Sequence, residues 1–352
     1  MICAGESVTH LLVGPPEHGV VRYGTAVHAA LAADDPAADD PAGHALVAVP
    51  AVDSRTVESV CTPTGPGLVH LQFTDRLFGA SAPEAADAAT GLVTALHDRG
   101  ARVTATLHDL PQPSDGTGFT RRVECYRRVA AALDAVVVSS DHESALYTDH
   151  LGLQSPPEVI PLMVETLVVP PGAAEPSAGT VSVGVLGFLY PGKGHIETLR
   201  AMDDLDADIA FVALGAPSPG HDDLVHELEA HATAVGRPLE VTGFLDDAEL
   251  YRRMATITVP VAHHRHMSAS ASVNTWRSLR RAPLVPRTRY TEEMATRSPG
   301  TLLVYADADL PATIAAALDD PSRTRIGDDI AVHPTPAEVA AAHRVVFERV
   351  CR

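Results

Sequence analysis

The sequence predicts an α/β protein built from two doubly wound, Rossmann-like domains facing across a cleft. Three observations predict it. Short β-branched runs alternate with Ala-rich stretches of helical period from end to end. Strand, helix, strand in that order gives a parallel sheet with right-handed crossovers. The pattern pauses once, near mid-chain, in a Pro/Gly/Ala-rich stretch and then restarts. A length of 352 residues suits two domains, each with its own core.

The first half offers strands at 8–14, 45–49, 68–73, 102–108, 135–139 and 159–162, apolar runs bounded by turn-forming residues. Helical spacing of apolar residues marks 23–33, 83–99, 119–133 and 141–150 between them. The Asp/Pro/Ala repeats of 34–43 read as a surface loop. Residues 169–178 form the linker, so the domains are expected at 1–168 and 179–335. In the second half, strands are expected at 181–187, 209–214, 239–243, 256–261, 283–285 and 301–305. Helices are expected at 194–203, 222–235, 246–255, 272–281, 291–297 and 310–319. A last helix, 336–350, starts on Pro336 and carries Val339, Val345, Val346 and Val350 at helical spacing. The segment 336–352 is expected to cross back onto the first domain.

Composition narrows the function. A net charge of −19 without any basic run opposes binding to nucleic acid or anionic membrane. Cys3, Cys61, Cys125 and Cys351 are scattered, with no CxxC spacing, as in a reducing cytosol without structural zinc. No leader peptide or bilayer-spanning window is present, so a soluble, cytoplasmic protein is expected.

Lys193 is the only lysine among 26 Lys and Arg residues. Where arginine has taken every other basic position, this one needs to be lysine. It lies in a turn from Gly187 through Gly192 to Gly194, between an apolar strand and a helix. Backbone N–H groups and a compact ammonium there can grip a phosphate. Neither GxGxxG nor GxxxxGK[ST] occurs, so the site is not a dinucleotide fingerprint or a Walker loop.

Four other segments fall at predicted strand ends, where ligands sit in doubly wound sheets. His108 and Asp109 close one strand; the imidazole can bind a substrate hydroxyl, and Asp109 can orient it or bind substrate itself. Gln72 and Asp75 end another. The loop 14–24, with Glu17, His18 and Gly19, either covers an acceptor or a phosphate or is a plain turn. The stretch 260–274 places His263, His264, Arg265 and His266 before Ser268, Ser270, Ser272 and Asn274. Adjacent histidines rarely converge on a metal, and no carboxylate stands nearby, so no metal is expected. A helix N-terminus binding an anion or sugar hydroxyl is the better fit. No GxSxG supports a nucleophilic serine.

Across nearly the whole chain these segments resemble the retaining glycosyltransferases of family 4, which have the GT-B fold. The stretch from Gly187 to Gly194, followed by His195-Ile196-Glu197, looks like the family's strand, Gly, loop, Lys-Gly and helix. There the lysine contacts the donor diphosphate. Gly215 after 211–214, and Phe244-Leu245 after Gly243, are similar to the family's next segments, the latter to the one that meets the nucleobase. Residues 106–110 resemble the strand that carries its sugar-binding histidine, here His108. Two departures stand out. Leu189 and Tyr190 occupy the place of an arginine, and no acid lies between His263 and Trp276, where the family has paired glutamates.

The resemblance implies a retaining, metal-independent glycosyltransferase, without cofactor, that moves a sugar from a nucleotide-diphosphate sugar to a hydroxyl acceptor. His108 and Lys193 would be catalytic. Gly187, Gly192, Gly194, Gly215, Phe244, Leu245, Arg265, Ser268, Ser270, Ser272 and Asn274 would bind the donor. Glu17, His18, Gly19, Gln72, Asp75 and Asp109 would bind the acceptor. A small-molecule or lipid-linked acceptor fits a natural-product or cell-envelope glycoside. The Arg-for-Lys bias of a GC-rich genome suggests an actinobacterial source. The missing glutamates leave a rival: a non-catalytic GT-B protein that binds nucleotide sugar or serves as a partner subunit.

Overall fold

Two parallel sheets carry the chain in the computed structural model, which describes residues 8–33, 44–60, 67–170 and 181–352. The chain divides into a unit of Met1–Met163 with Pro334–Arg352 and a unit of Val164–His333. The expected loop at 34–43, Cys3, Cys61 and most of the expected linker lie outside the described residues.

The first sheet holds β1 (Val8–Val13), β2 (His44–Val49), β3 (Leu68–Phe73), β4 (Arg102–Leu107), β5 (Ala135–Val138) and β6 (Glu158–Val159), in the order β2-β1-β3-β4-β5-β6. β1 and β3 are buried along their whole length, which is why they read as continuous apolar runs rather than alternating ones. Leu11, Leu71 and Phe73 pack on Ala85, Ala89 and Leu92 of the helix Ala82–His97. The second sheet holds β7 (Ser182–Leu186), β8 (Ala210–Leu214), β9 (Leu239–Val241), β10 (Val259–Val261), β11 (Leu284–Pro286) and β12 (Leu303–Tyr305), in the order β12-β11-β10-β7-β8-β9. Its core is Val183, Val185, Phe211, Val259, Val261 and Leu284. The strand order reverses between β1 and β3 in one sheet and between β7 and β10 in the other. Ligands bind at such switch points.

Side chains set the helix starts. Ser140 Oγ accepts from Glu143 N (2.9 Å), and Asp246 Oδ1 from Glu249 N (2.8 Å). The final helix, Pro336–Cys351, opens on a reciprocal box between Thr335 and Glu338. Its Val339, Ala340, Val346 and Phe347 pack with Val27 and Leu31 of the first helix, Gly19–Ala33.

Several boundaries differ from the sequence expectation. The first helix starts at Gly19 rather than 23, so half of the expected 14–24 loop is helical. His18 Nδ1 accepts from Val20 N (3.2 Å), which ties down a free donor of the first turn. Gly24 fits inside the helix because a Cβ there would lie 2.4 Å from Leu12 Cδ2. The helix expected at 194–203 ends at Arg200. Just beyond it the Arg237 guanidinium gathers the carbonyls of Met202, Leu205, Asp206 and Ile209 (2.6–3.2 Å). Those carbonyls are satisfied without a further helical turn. The strand expected at 256–261 shrinks to Val259–Val261 because the helix Asp247–Thr256 runs into its start. Short helices at Thr56–Val60 and Asp75–Phe78 add to the expectation.

The first unit also buries a histidine cluster. The His10 ring lies 5.3 Å from His28, 5.9 Å from His44 and 5.8 Å from His70, centre to centre. His70 lies 5.5 Å from His343 of the final helix. His70 bonds Thr104 and Thr106 hydroxyls (2.9 and 3.1 Å), and His343 Nδ1 donates to the Val339 carbonyl (2.9 Å). Burial holds His10 and His70 well below 6.5 and pushes His343 down to about 4. The unfolded chain therefore binds more protons than the folded one below about pH 6.5. The cluster's contribution is complete above that pH and is lost as pH falls toward the folded values. We predict that urea-unfolding stability drops between pH 6.5 and 4 by about 1.4 kcal/mol per pH unit for each such proton. His10→Leu should flatten that acid limb; an unchanged limb would mean that other groups set it.

Candidate functional site

In the second unit, the chain leaves β7 through a tight turn and re-enters a helix at His195–Arg200. Two glycines make the turn possible. Gly187 has φ +120°, and a Cβ on it would lie 2.8 Å from Lys193 Cε. Gly194 has φ +91°, and its Cβ would lie 2.0 Å from the His263 carbonyl oxygen. The turn thus lies flat against the segment after β10, where Arg265 N donates to Gly192 O (2.9 Å). Gly215, after β8, packs on the Gly187 carbonyl in the same way and donates its N–H to Thr242 Oγ1 (3.1 Å).

Lys193 sits inside this fold-over. It is only 8 % exposed, and Nζ donates to Ser272 Oγ (3.1 Å) in the first turn of the helix Ala271–Ser278. The Tyr190 ring centre is 5.9 Å away. Among the described residues no carboxylate pairs with it, and burial alone pushes the ammonium down to about 7. A lone buried cation is costly unless something anionic joins it. Ser270 caps the same helix, accepting from Val273 N (3.3 Å) and lying 3.2 Å from Ser272 Oγ. Lysine, serine hydroxyls and a helix N-terminus therefore meet at one point.

The surroundings of Lys193 carry no negative charge to spare. His195 and His264 are buried and held neutral, His195 pushed down to about 3 by burial and then by Lys193. The Nε2 atoms of both lack a hydrogen-bond partner. His263 Nδ1 bonds the Tyr305 hydroxyl (2.6 Å), while His266 is exposed, so the three histidines after β10 do not converge. Among the described residues no group of three His, Cys, Asp or Glu side chains is placed to hold a metal ion.

The remaining donor-side candidates scatter in exposure. Arg265 is exposed, 3.5 Å from Glu197. Phe244 is 70 % exposed, beside a half-buried Leu245. Ser268 is buried, and Asn274 Oδ1 accepts from Arg277 Nη1 (2.8 Å).

In the first unit, the carboxyl ends of β1, β3 and β4 gather the other candidates. His108 is 6 % exposed; its N–H reaches Phe73 O (2.8 Å) and its Nε2 bonds Gln72 Oε1 (2.7 Å). Tyr23 meets the ring edge-on at 5.5 Å. Burial pushes the imidazole down to about 3, so it is neutral at physiological pH. Gln72 and not Asp109 orients the ring: Asp109 is exposed, in a left-handed conformation at φ +52°. Asp75 is buried, its carboxylate taken by Arg122 (2.9 Å). Glu17 and Gly19 are exposed and His18 is half-buried. Sequence reasoning missed Tyr23, Arg122 and His195. Only His195 had a visible signal, its place directly after Lys193-Gly194.

No protein-family model matches the chain, and no curated protein matches it in sequence. Solved structures do match its fold. HepE of Anabaena in complex with UDP-glucose aligns with a TM-score of 0.70 at 14 % identity, over 98 % of this chain and 95 % of that one. Sucrose-phosphate synthase of Thermosynechococcus elongatus aligns at 0.64 and 13 %, over 99 % and 95 %. The UDP-forming α,α-trehalose-phosphate synthase of Burkholderia xenovorans, in complex with glucose-6-phosphate, aligns at 0.56 and 14 %, over 82 % and 71 %. The fold is that of the GT-B glycosyltransferases.

The turn's geometry makes a direct prediction. Gly194→Ala adds a methyl group against the His263 carbonyl at a positive φ. It should lower stability in urea by at least about 2 kcal/mol. A loss under about half that would show that the turn yields easily.

Proposed function

We propose that the chain is a retaining, metal-independent glycosyltransferase of the family 4 type that uses a nucleotide-diphosphate sugar. One observation carries the reading: the chain's single lysine is buried with no counter-ion among the described residues, beside serine hydroxyls and a helix N-terminus. A donor diphosphate supplies the missing anion. The unit Val164–His333 holds the nucleotide, with Phe244 and Leu245 toward the base. The N-terminal unit holds a hydroxyl acceptor, small-molecule or lipid-linked. HepE's complexes with UDP and UDP-glucose make the uridine series the first donors to test.

In this reaction the sugar–phosphate bond breaks through an oxocarbenium-like state, and negative charge grows on the departing diphosphate. Lys193 and the backbone N–H groups near Gly192 and Gly194 stabilise that charge. A donor lost from a developing oxyanion costs about 10²–10³ in rate. Arg265 provides a second positive charge in place of the arginine absent at Leu189 and Tyr190. His108, neutral and fixed by Gln72, hydrogen-bonds the transferred sugar without adding charge near the oxocarbenium centre.

Two predictions follow from the buried ammonium. Titration calorimetry should show UDP binding that weakens at least tenfold, about 1.4 kcal/mol, in Lys193→Ala. Equal affinity in both proteins would remove the diphosphate from this lysine. Affinity should also fall as pH rises from 7 toward 9, by up to about tenfold per pH unit. The empty site's lysine loses its proton above about 7, whereas the diphosphate-bound lysine keeps it, so binding takes up a proton. A flat profile there would contradict the assignment. UDP binding without turnover of any sugar nucleotide would favour a non-catalytic nucleotide-sugar binder. The absence of acids between His263 and Trp276 points the same way.

A further inference from the structure

The turn that carries His108 is held from behind by one helix. Tyr126 and Arg122, one turn apart on the helix Phe119–Ala132, reach two successive carbonyls. Tyr126 Oη donates to His108 O (2.6 Å), and Arg122 Nη2 donates to Asp109 O (2.6 Å). The same guanidinium donates from Nε and Nη2 to the two carboxylate oxygens of Asp75 (2.9 and 3.2 Å). Its Nη1 donates to Asp115 Oδ2 (2.5 Å), and its carbon lies 5.5 Å from the Tyr126 ring centre. One side chain thus joins the end of β3, the end of β4 and the loop after β4.

Asp109 needs such a hold. Only it and Arg280 are described non-glycine residues with positive φ. A left-handed L-residue is unfavourable by itself and persists where its surroundings fix it. The Asp109 carbonyl is fixed by Arg122, and the preceding carbonyl by Tyr126. His108, whose ring bonds Gln72, directly precedes this turn.

We propose that Arg122 is the positioning residue of the His108 site: it fixes the left-handed turn at Asp109 and thereby holds the His108 ring against Gln72. The consequence for catalysis rests on the reading above, that His108 meets the transferred sugar. Arginine is required because the contacts use a planar fork of N–H donors aimed at three chain segments. A lysine offers three donors from one point and cannot span them. Without the guanidinium, the buried Asp75 carboxylate loses its charged partner, a costly loss at the end of β3.

The test is histidine-labelled NMR of the full chain, with the His108 signals assigned through His108→Gln. In the wild type the ring should stay neutral to well below pH 5. In Arg122→Lys the loosened turn should let the ring leave Gln72 and reach solvent, so its titration should rise toward about 6.5, with UDP affinity unchanged within about twofold. A purely structural arginine would lower the melting temperature and leave the His108 titration where it was; that result overturns the proposal. Adding Asp109→Gly to Arg122→Lys should restore the low titration point, because glycine adopts the left-handed turn unaided. Failure of that rescue also counts against the proposal. If Arg122→Lys does not fold, Asp115→Asn removes the outer ion pair and leaves Arg122 on Asp109 O and Asp75, so its His108 titration must stay low; a rise there would overturn the proposal. With a turning-over donor, kcat in Arg122→Lys should fall about 10- to 100-fold at unchanged donor KM. A wild type that binds no nucleotide would sink the transferase reading, while the titration would still decide the role of Arg122.

Discussion

A buried ammonium with no counter-ion among the described residues governs the second unit. Lys193 is held under the turn after β7, whose Gly187 and Gly194 have positive φ, and among the described residues its only side-chain hydrogen bond is to Ser272. Around it the structure places neutral groups: two buried imidazoles, two serine hydroxyls and a tyrosine ring. A fold that places a cation there without a carboxylate carries a standing cost, which an anionic ligand would offset. The acidic chain makes this more pointed. With a net charge of −19, the protein repels anions in general, so an anionic substrate needs a dedicated site.

The first unit solves a different problem. Its His108 ring is kept neutral by burial and fixed by the Gln72 amide, whereas Asp75, Arg122 and Asp115 form a charged network beside it. A neutral hydrogen-bonding group suits a sugar whose transition state is cationic; an imidazolium would oppose it. The separation of neutral ring from charged support is achieved by chain geometry. β3 and β4 run side by side and end together, so Gln72, Asp75 and His108 emerge at one edge of the sheet.

Much of this was legible in the sequence. The strands were visible because sheets covered on both faces produce continuous apolar runs, as in β1, β3 and β7. Lys193 was visible through its uniqueness and its setting between glycines. The rest was hidden for identifiable reasons. The early start of the first helix depends on the His18 ring reaching Val20 N, and on Gly24 packing against Leu12. The early end after Arg200 depends on Arg237, whose carbonyl partners lie 28 to 35 residues away in the sequence. Arg122 follows Arg121 in the sequence with nothing local to mark it; its partner Asp75 is 47 residues distant. The histidine cluster draws on His10, His28, His44, His70 and His343, each unremarkable in its own element. Local patterns reveal elements; convergence of distant side chains requires the fold.

The most direct measurement is a crystal structure of the protein with UDP-glucose. The account predicts the diphosphate within hydrogen-bonding distance of Lys193 Nζ, against Ser272 and the first turn of the helix Ala271–Ser278. A nucleotide bound with its phosphates away from Lys193, leaving that ammonium buried and unpaired, would contradict it.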